Sequence, residues 1–267
     1  MRELIVKSMN RFFHEFGSIC LFVATIVKTV FCTRGNAQAI LAQISSVSYR
    51  SVSTVAFAGI FVGAILVLQF HRILVQYDGE IFLGGLNTSA VVREVGPLLI
   101  SFLLAGKIGA FTAAELGTMR VTEQIDAIQC LGTNPIQYLI VPRWIAIIIS
   151  SVILLVIGLV ISIGGSMLVS NILLDINPLQ FASSIGQFTD LSTVASGIFK
   201  SAVYGTIVAS VSCYEGYTAS GGARGVGKAV TQAAVYINLY IIIANTLTSN
   251  MFEFLQDVLV PFIKGAW

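Results

Sequence analysis

Charge is the scarcest commodity in this 267-residue chain: 15 Lys and Arg and 13 Asp and Glu make about 10% of the residues, where soluble domains carry roughly 25%. With 56% hydrophobic residues, that shortage excludes an ordinary soluble domain. Disorder is excluded as well, because unfolded segments are too polar to bury surface and this chain has the opposite composition. Histidine is nearly missing, with only His14 and His71, which argues against a His-rich metal or catalytic centre. The four cysteines, Cys20, Cys32, Cys130 and Cys213, form no C-x-x-C pair. They read as free apolar thiols rather than zinc ligands. Neither G-x-S-x-G nor H-E-x-x-H occurs, so a lipid-cleaving membrane enzyme lacks its nucleophile and base. A net charge of +2 gives no reason to expect nucleic acid as a partner.

What the chain does have is long apolar runs. A hydrocarbon core of about 30 Å needs about 20 apolar residues in a helix. Three windows of that kind carry no charge at all: 51–70, 144–174 and 229–252. Two more, 95–114 and 191–214, are interrupted only by Lys107 and Lys200. The runs are continuous rather than alternating, so they predict five transmembrane helices and not barrel strands. The expected fold class is an all-α membrane protein, a single domain over 1–267, with an interfacial helix and connector over 1–45 followed by the five-span bundle over 46–267.

The first 34 residues differ. Leu4, Ile5, Met9, Phe12, Phe13, Phe16, Ile19, Val23, Ile26, Val27 and Val30 recur on one helix face, punctuated by Arg2, Lys7, Arg11 and Lys28. This pattern predicts an amphipathic helix lying in the headgroup plane. A signal peptide is the rival reading, but no A-x-A site follows the short apolar run.

Sorting the cations by side, with a cytoplasmic N-terminus and five spans, puts eleven inside: Arg2, Lys7, Arg11, Lys28, Arg34, Arg50, Lys107, Arg120, Arg143, Arg224 and Lys228. Four remain outside, namely Arg72, Arg93, Lys200 and Lys264. The positive-inside rule therefore places the N-terminus in the cytoplasm and the C-terminus outside. The polar connections are too short for a soluble domain, so any nucleotide hydrolysis must come from another chain.

Two connections carry information. Between the second and third spans, Thr122 offers a cap for a short helix with Glu123 and Asp126 near its positive end. Ile125, Ile128 and Leu131 share a face, and Gly132 and Pro135 stop the helix. Such an element suits docking of a soluble partner, and it equally suits a membrane-surface loop. Between the fourth and fifth spans, 215–228 is rich in glycine. Gly222, Gly227 and Lys228 nearly match a phosphate loop, but Ala229 stands where Ser or Thr must hold magnesium, and the loop follows a membrane helix. Glycines that let the backbone turn and approach a partner closely explain it better.

Inside the spans, Lys107 lies near the cytoplasmic end and can snorkel. Lys200 lies nine residues past Leu191, roughly 14 Å below the outer boundary, and polar groups at that depth are functional hypotheses by default. Arg93 and Glu94 begin the second span, and Asn245 lies near the outer end of the fifth, so all four fall in the outer half, with Glu94 the natural partner of Lys200. A purely structural ion pair is the competing explanation. Gly59-x-x-x-Gly63 and Gly106-x-x-x-Ala110 allow close helix contact within the chain or in a dimer. Asn177 and Pro178 suit the start of a short outer helix through about Gly186.

Several of these segments together resemble the MlaE-type permease family: Arg93-Glu94-Val-Gly96-Pro97, Ala105-Gly106-Lys107-Ile-Gly109, the run from Glu115 to Ala127, Pro142-Arg143, and Gly216-Tyr217 with 221–227. The resemblance covers roughly 50–252, and the run 115–127 is its most specific part. It implies a homodimer of permeases in phospholipid ABC transporters, each docked through a coupling helix onto a cytoplasmic ATPase, with an MCE-domain assembly on the outer side. By this similarity Thr118 to Leu131 contains the coupling helix, with Glu115, Arg120, Glu123, Gln124, Ile125, Asp126, Ile128 and Leu131 as the coupling candidates, and Glu94 and Lys200 match charged positions lining the family's lipid pathway, where Arg93 and Asn245 are further candidates. No cofactor is expected on this chain; ATP and magnesium belong to the ATPase. A bacterial inner membrane is the expected location, with a plastid inner envelope as the other host. Asn245 departs from the family's usual Asp, which leaves a neutral hydrogen-bonding group there. A self-contained channel or secondary transporter is the alternative, but five spans without internal duplication argue against it.

Overall fold

The computed structural model describes the backbone of residues 2–32 and 37–264, and the side chains of 14–31 and 37–255. Arg34 and the side chains of Arg2, Lys7, Arg11, Cys32 and Lys264, which entered the count of cations and thiols, lie outside what is described. Among the described residues every regular element is a helix, as expected where lipid offers the backbone no hydrogen-bond partners. The helices are α1 (Arg2–Cys32), α2 (Ala37–Leu74), α3 (Leu83–Ala90), α4 (Gly96–Leu104), α5 (Ala110–Val121), α6 (Gln124–Cys130), α7 (Val141–Leu174), α8 (Pro178–Phe188), α9 (Leu191–Tyr217) and α10 (Gly222–Lys264). Wider, π-type turns at Val91–Val95, Ala105–Gly109 and Ile136–Ile140 join α3 to α4, α4 to α5 and lead into α7.

Among the described residues, six segments are long and apolar enough to cross a membrane: His14–Phe31, Ala37–Tyr77, Glu80–Val121, Ile136–Leu174, Leu191–Tyr217 and Gly222–Leu255. Five contain the five expected spans, each extended past the charge-free window. The clearest difference is the second, which starts well before residue 95. Arg93 and Glu94 therefore lie inside a continuous helical segment and do not begin it. The sixth is the N-terminal segment, whose 18 residues reach about 27 Å at 1.5 Å per residue. By length and composition it matches the others, although the sequence pattern predicts a helix in the headgroup plane.

The chain forms two compact units. The first joins Met1–Ser46, Ala105–Ile147 and Thr206–Ile237. Its core holds Ile26, Leu116, Ile140, Val141 and Cys213, and the Phe22 ring packs against Tyr214 and Tyr217. One face of α1, through Ile19 and Ile26, is thus spent on protein, while Leu21 and Phe31 stay exposed. The tight connection before α10 belongs here. Gly221 and Gly222 have φ of 92° and 69°, which favours residues without a Cβ. The connection is much shorter than the glycine-rich stretch suggests, because Glu215 to Tyr217 end α9 and Gly222 to Lys228 begin α10.

The second unit joins Val47–Leu104, Ile148–Gly205 and Asn238–Trp267. In it, Gly59 and Gly63 face α7: a Cβ on Gly63 would meet the Ser162 carbonyl oxygen at 2.2 Å. That small-residue pair therefore serves contact within the chain. A Cβ on Gly106, in the first unit, meets nothing within 4 Å. The second unit also holds the short helices α3 and α8, packed around Val67, Leu83, Ile176 and Phe181. Asn177 caps α8 by accepting the Leu179 N–H at 2.9 Å, and Pro178 occupies its first turn. The helix continues to Phe188, slightly past Gly186.

Candidate functional site: a buried lysine cluster and a clamped short helix

Lys200 sits in the third turn of α9, at the place where that helix comes closest to the π-type turn Val91–Val95. Gly197 permits the approach, since a Cβ there would lie 2.6 Å from the Val92 carbonyl oxygen. The side chain of Lys200 is 1% exposed. Its ammonium has three donors, and the structure gives it three acceptors: Glu94 Oε1 at 2.5 Å, the Ser249 hydroxyl at 2.8 Å and the Arg93 carbonyl at 3.1 Å. The Ser249 hydroxyl in turn donates to the Glu94 carboxylate, with its oxygens at 3.0 and 3.1 Å. The π-type turn Val91–Val95 thus presents both the Arg93 carbonyl and the Glu94 side chain to the lysine.

The cluster is asymmetric. Its cation is sealed, whereas the Glu94 side chain is 38% exposed. Arg93 turns its guanidinium outward toward Glu253, 3.9 Å away. Asn245, one turn before Ser249 on α10, accepts from the Tyr204 hydroxyl at 2.7 Å, and Thr248 stands 3.3 Å from the same hydroxyl. Of the four predicted residues, Glu94, Lys200 and the Arg93 backbone come together directly, whereas Asn245 pairs with Tyr204, one turn along α10 and α9 from Ser249 and Lys200. Lys200 meets protein on every donor, Glu94 among its partners. Ser249, Thr248, Tyr204 and Glu253 were not singled out by sequence. The spacing of Asn245, Ser249 and Glu253 at i, i+4 and i+8 is the signal that would have found three residues of this face.

The segment after α5 is built differently from the expectation. Thr122 does not cap α6; its hydroxyl donates to the Thr118 carbonyl within α5, at 2.8 Å. Glu123 takes the cap position in the left-handed region, at φ 60°. It reverses the chain without a side-chain cap. Two contacts then fix α6. Arg120 pairs with Asp126 and lies over the Tyr217 ring, 5.9 Å from its centre, and Ile125 is fully buried. The expected apolar face is split, since Ile128 is half-buried and Leu131 is 83% exposed. Gly132, at φ 77°, ends the helix as predicted. Gln124 and Glu123 are exposed beside Leu131. Glu115 points elsewhere, to Arg143 Nη2 at 3.0 Å. The segment is therefore a short helix clamped on one side and presenting Glu123, Gln124 and Leu131 on the other. Lys107, in its own π-type turn, is exposed.

The chain matches the family described as Permease MlaE over residues 40–251, a stretch that contains both the lysine cluster and the clamped helix. The chain belongs to the MlaE permease family. A probable ABC transporter permease protein of Rickettsia prowazekii is 36% identical over 250 residues, 94% of this chain and 96% of the relative. A probable ABC transporter permease protein of Synechocystis is 36% identical over 242 residues, 91% of this chain and 92% of the relative. The chloroplastic protein TRIGALACTOSYLDIACYLGLYCEROL 1 of Arabidopsis thaliana is 34% identical over 212 residues, 79% of this chain and 61% of the relative. This MlaE-family permease is thus an integral membrane subunit of an ABC transporter, and its apolar helices supply the membrane part of that assembly.

Proposed function

We propose that this permease moves phospholipid across or out of the membrane, paired with a second copy of itself and driven by cytoplasmic ATPase subunits seated on α6. The observation that carries the reading is the lysine cluster: a fully buried cation whose carboxylate partner stays open, set among helices that are otherwise apolar. Lipid tails need only an apolar wall, while a headgroup needs a few polar contacts. Glu94, Arg93 and the Tyr204–Asn245 pair are the groups that would supply them, with Lys200 holding Glu94 in place. The Arabidopsis relative is named for a diacylglycerol lipid, which supports a lipid cargo.

Nucleotide binding in the ATPase would close its dimer, push the clamped helix through Gln124 and Leu131, and change the space between two permeases. ATP and magnesium stay with the ATPase. An MCE-domain assembly on the outer side would receive or deliver the lipid. A bacterial inner membrane, with the N-terminus inside, fits the distribution of cations, and a plastid inner envelope is the corresponding place in a plant cell.

The test is the purified permease–ATPase complex in proteoliposomes containing labelled phospholipid. A Lys200→Ala variant should assemble with the ATPase as well as the parent does and lose most lipid transfer. Normal transfer by a well-assembled Lys200→Ala complex removes the assigned role. Lipid transfer by the permease alone, with no nucleotide-hydrolysing partner, overturns the energy source.

A further inference from the structure

A stable protein–protein interface buries about 800 Å² on each partner, contributed by roughly 20–30 residues. Helix α6 has seven residues, and one of them, Ile125, is fully buried in its own chain. As a seat for another protein it is too small by itself. The surface continues, however. The first unit contains an open cavity of about 750 Å³ with Gly132 in its lining, and Leu131, the residue before, is 83% exposed. The end of α6 and the cavity therefore follow each other directly along the chain. One wall comes from α1 and α2 through Val30, Ile40 and Gln43, and the other from the segment after α6 through Asn134, Gln137 and Tyr138.

The chemistry of the walls selects what this surface meets. Arg143, the charged residue of the lining, is 6% exposed, and Glu115 balances it at 3.0 Å. A phospholipid headgroup would bring its phosphate to a wall whose cation is already taken, and a charge withdrawn from water without a partner is costly. The remaining polar groups are neutral. Gln43 and Gln137 are half-buried and Asn134 is exposed, with its Oδ1 fixed by the Ile136 N–H at 3.0 Å. Side-chain amides offer donors and acceptors together, which is what a peptide backbone needs. Val30 and Ile40 add an apolar wall of the kind that takes a single anchoring side chain. This combination fits a segment of another protein better than a lipid.

We propose that this cavity is a second docking surface for the ATPase subunit, receiving a neutral segment that sets one apolar side chain against Val30 and Ile40 and hydrogen-bonds through its backbone to the amides of Gln43, Asn134 and Gln137. The inference rests on the reading of α6 as the ATPase seat, and it extends that seat along 132–138 to α1 and α2. The motor then holds α6 and the walls of the cavity at once, so its movement is delivered to α1 and α2 as well as to a helix of two turns.

The test is photocrosslinking within the purified permease–ATPase complex in phospholipid nanodiscs, with p-benzoylphenylalanine placed singly at Gln43, Tyr138 or Leu131. Gln43 and Tyr138 should each form a covalent adduct with the ATPase, while Leu131 reports on the α6 seat independently. An ATPase adduct at Leu131, with only lipid or a second permease captured at Gln43 and Tyr138, overturns the role of the cavity and leaves the α6 seat standing. ATPase adducts at Gln43 and Tyr138 with none at Leu131 support the cavity and remove the α6 seat. No ATPase adduct at any of the three overturns both. Ile40→Trp, which fills the apolar wall, should weaken binding of the ATPase to the purified permease about tenfold. Unchanged ATPase affinity in the folded Ile40→Trp chain overturns the proposal.

Discussion

The Lys200–Glu94 pair predicts unequal costs for losing its two halves. Replacing Lys200 with Met removes a cation that is 1% exposed and leaves three acceptors behind. The Glu94 carboxylate keeps the Ser249 hydroxyl and is 38% exposed, so water makes up part of the loss. The Arg93 carbonyl and the Ser249 hydroxyl oxygen each lose a donor. A buried polar group left without its partner costs about 1–3 kcal/mol, and the partial exposure of Glu94 places Lys200→Met near the low end. Replacing Glu94 with Gln does the reverse. It leaves an ammonium sealed in the bundle with only neutral acceptors, and breaking a buried pair so that one charge stays uncompensated costs about 3–5 kcal/mol.

The expected gap between the two variants is about 2 kcal/mol. At roughly 2–4 °C per kcal/mol for a domain of this size, their thermal midpoints should differ by about 4–8 °C, with Glu94→Gln the lower. The double variant should lose less than the two losses added together, because the second change removes an orphan created by the first. Fluorescence-detected size-exclusion chromatography after heating, in one detergent and at one lipid content, measures all four proteins. Equal midpoints for the single variants, or full additivity in the double, would refute the claim that the lysine is sealed and the carboxylate open.

Three further predictions rest on particular contacts. Gly63→Val should lower the thermal midpoint by an amount matching about 1–3 kcal/mol, since a Cβ there meets the Ser162 carbonyl oxygen at 2.2 Å, whereas Gly106→Ala should leave it unchanged; the same heating assay reads both. Asn177→Ala should cost about 1 kcal/mol by removing the cap of α8, and Asn177→Asp should restore it. Glu123→Gly should hold or raise the midpoint, because φ of 60° strains a residue with a Cβ by about 1–2 kcal/mol. If the Glu123 carboxylate also meets the ATPase, the same variant should lower nucleotide hydrolysis by the complex; a lowered midpoint would show that the left-handed turn is not the source of strain.

What the sequence made legible follows from the size of the physical penalties involved. An apolar run of 20 residues can go nowhere but lipid, so the windows around 51–70, 144–174 and 229–252 all fall inside helices long enough to span. A lysine nine residues into a span is equally hard to overlook, and Glu94 was the acidic residue on offer at a similar depth. Smaller effects left no such mark. A π-type turn adds one residue to a helix at little cost in composition, so nothing in Val91 to Val95 announced that Arg93 would contribute its carbonyl and Glu94 its side chain to the same point. Ser249 and Tyr204 were missed because serine and tyrosine are tolerated throughout membrane helices, and only their partners distinguish these two from Ser150 or Tyr240.

The same scale explains the errors at α6. Thr122 is a good cap by type, but its hydroxyl has a competing acceptor four residues back, the Thr118 carbonyl. Hydroxyl back-bonding of that kind is a local choice worth a fraction of a cap, and the chain turns one residue later at Glu123 instead. Ile125, Ile128 and Leu131 do share a helical face, yet α6 is anchored only through its first turn by Ile125 and the Arg120–Asp126 pair, and it ends before Leu131. An 83% exposed leucine beside a buried isoleucine is the arrangement of an element anchored to its own chain at one end.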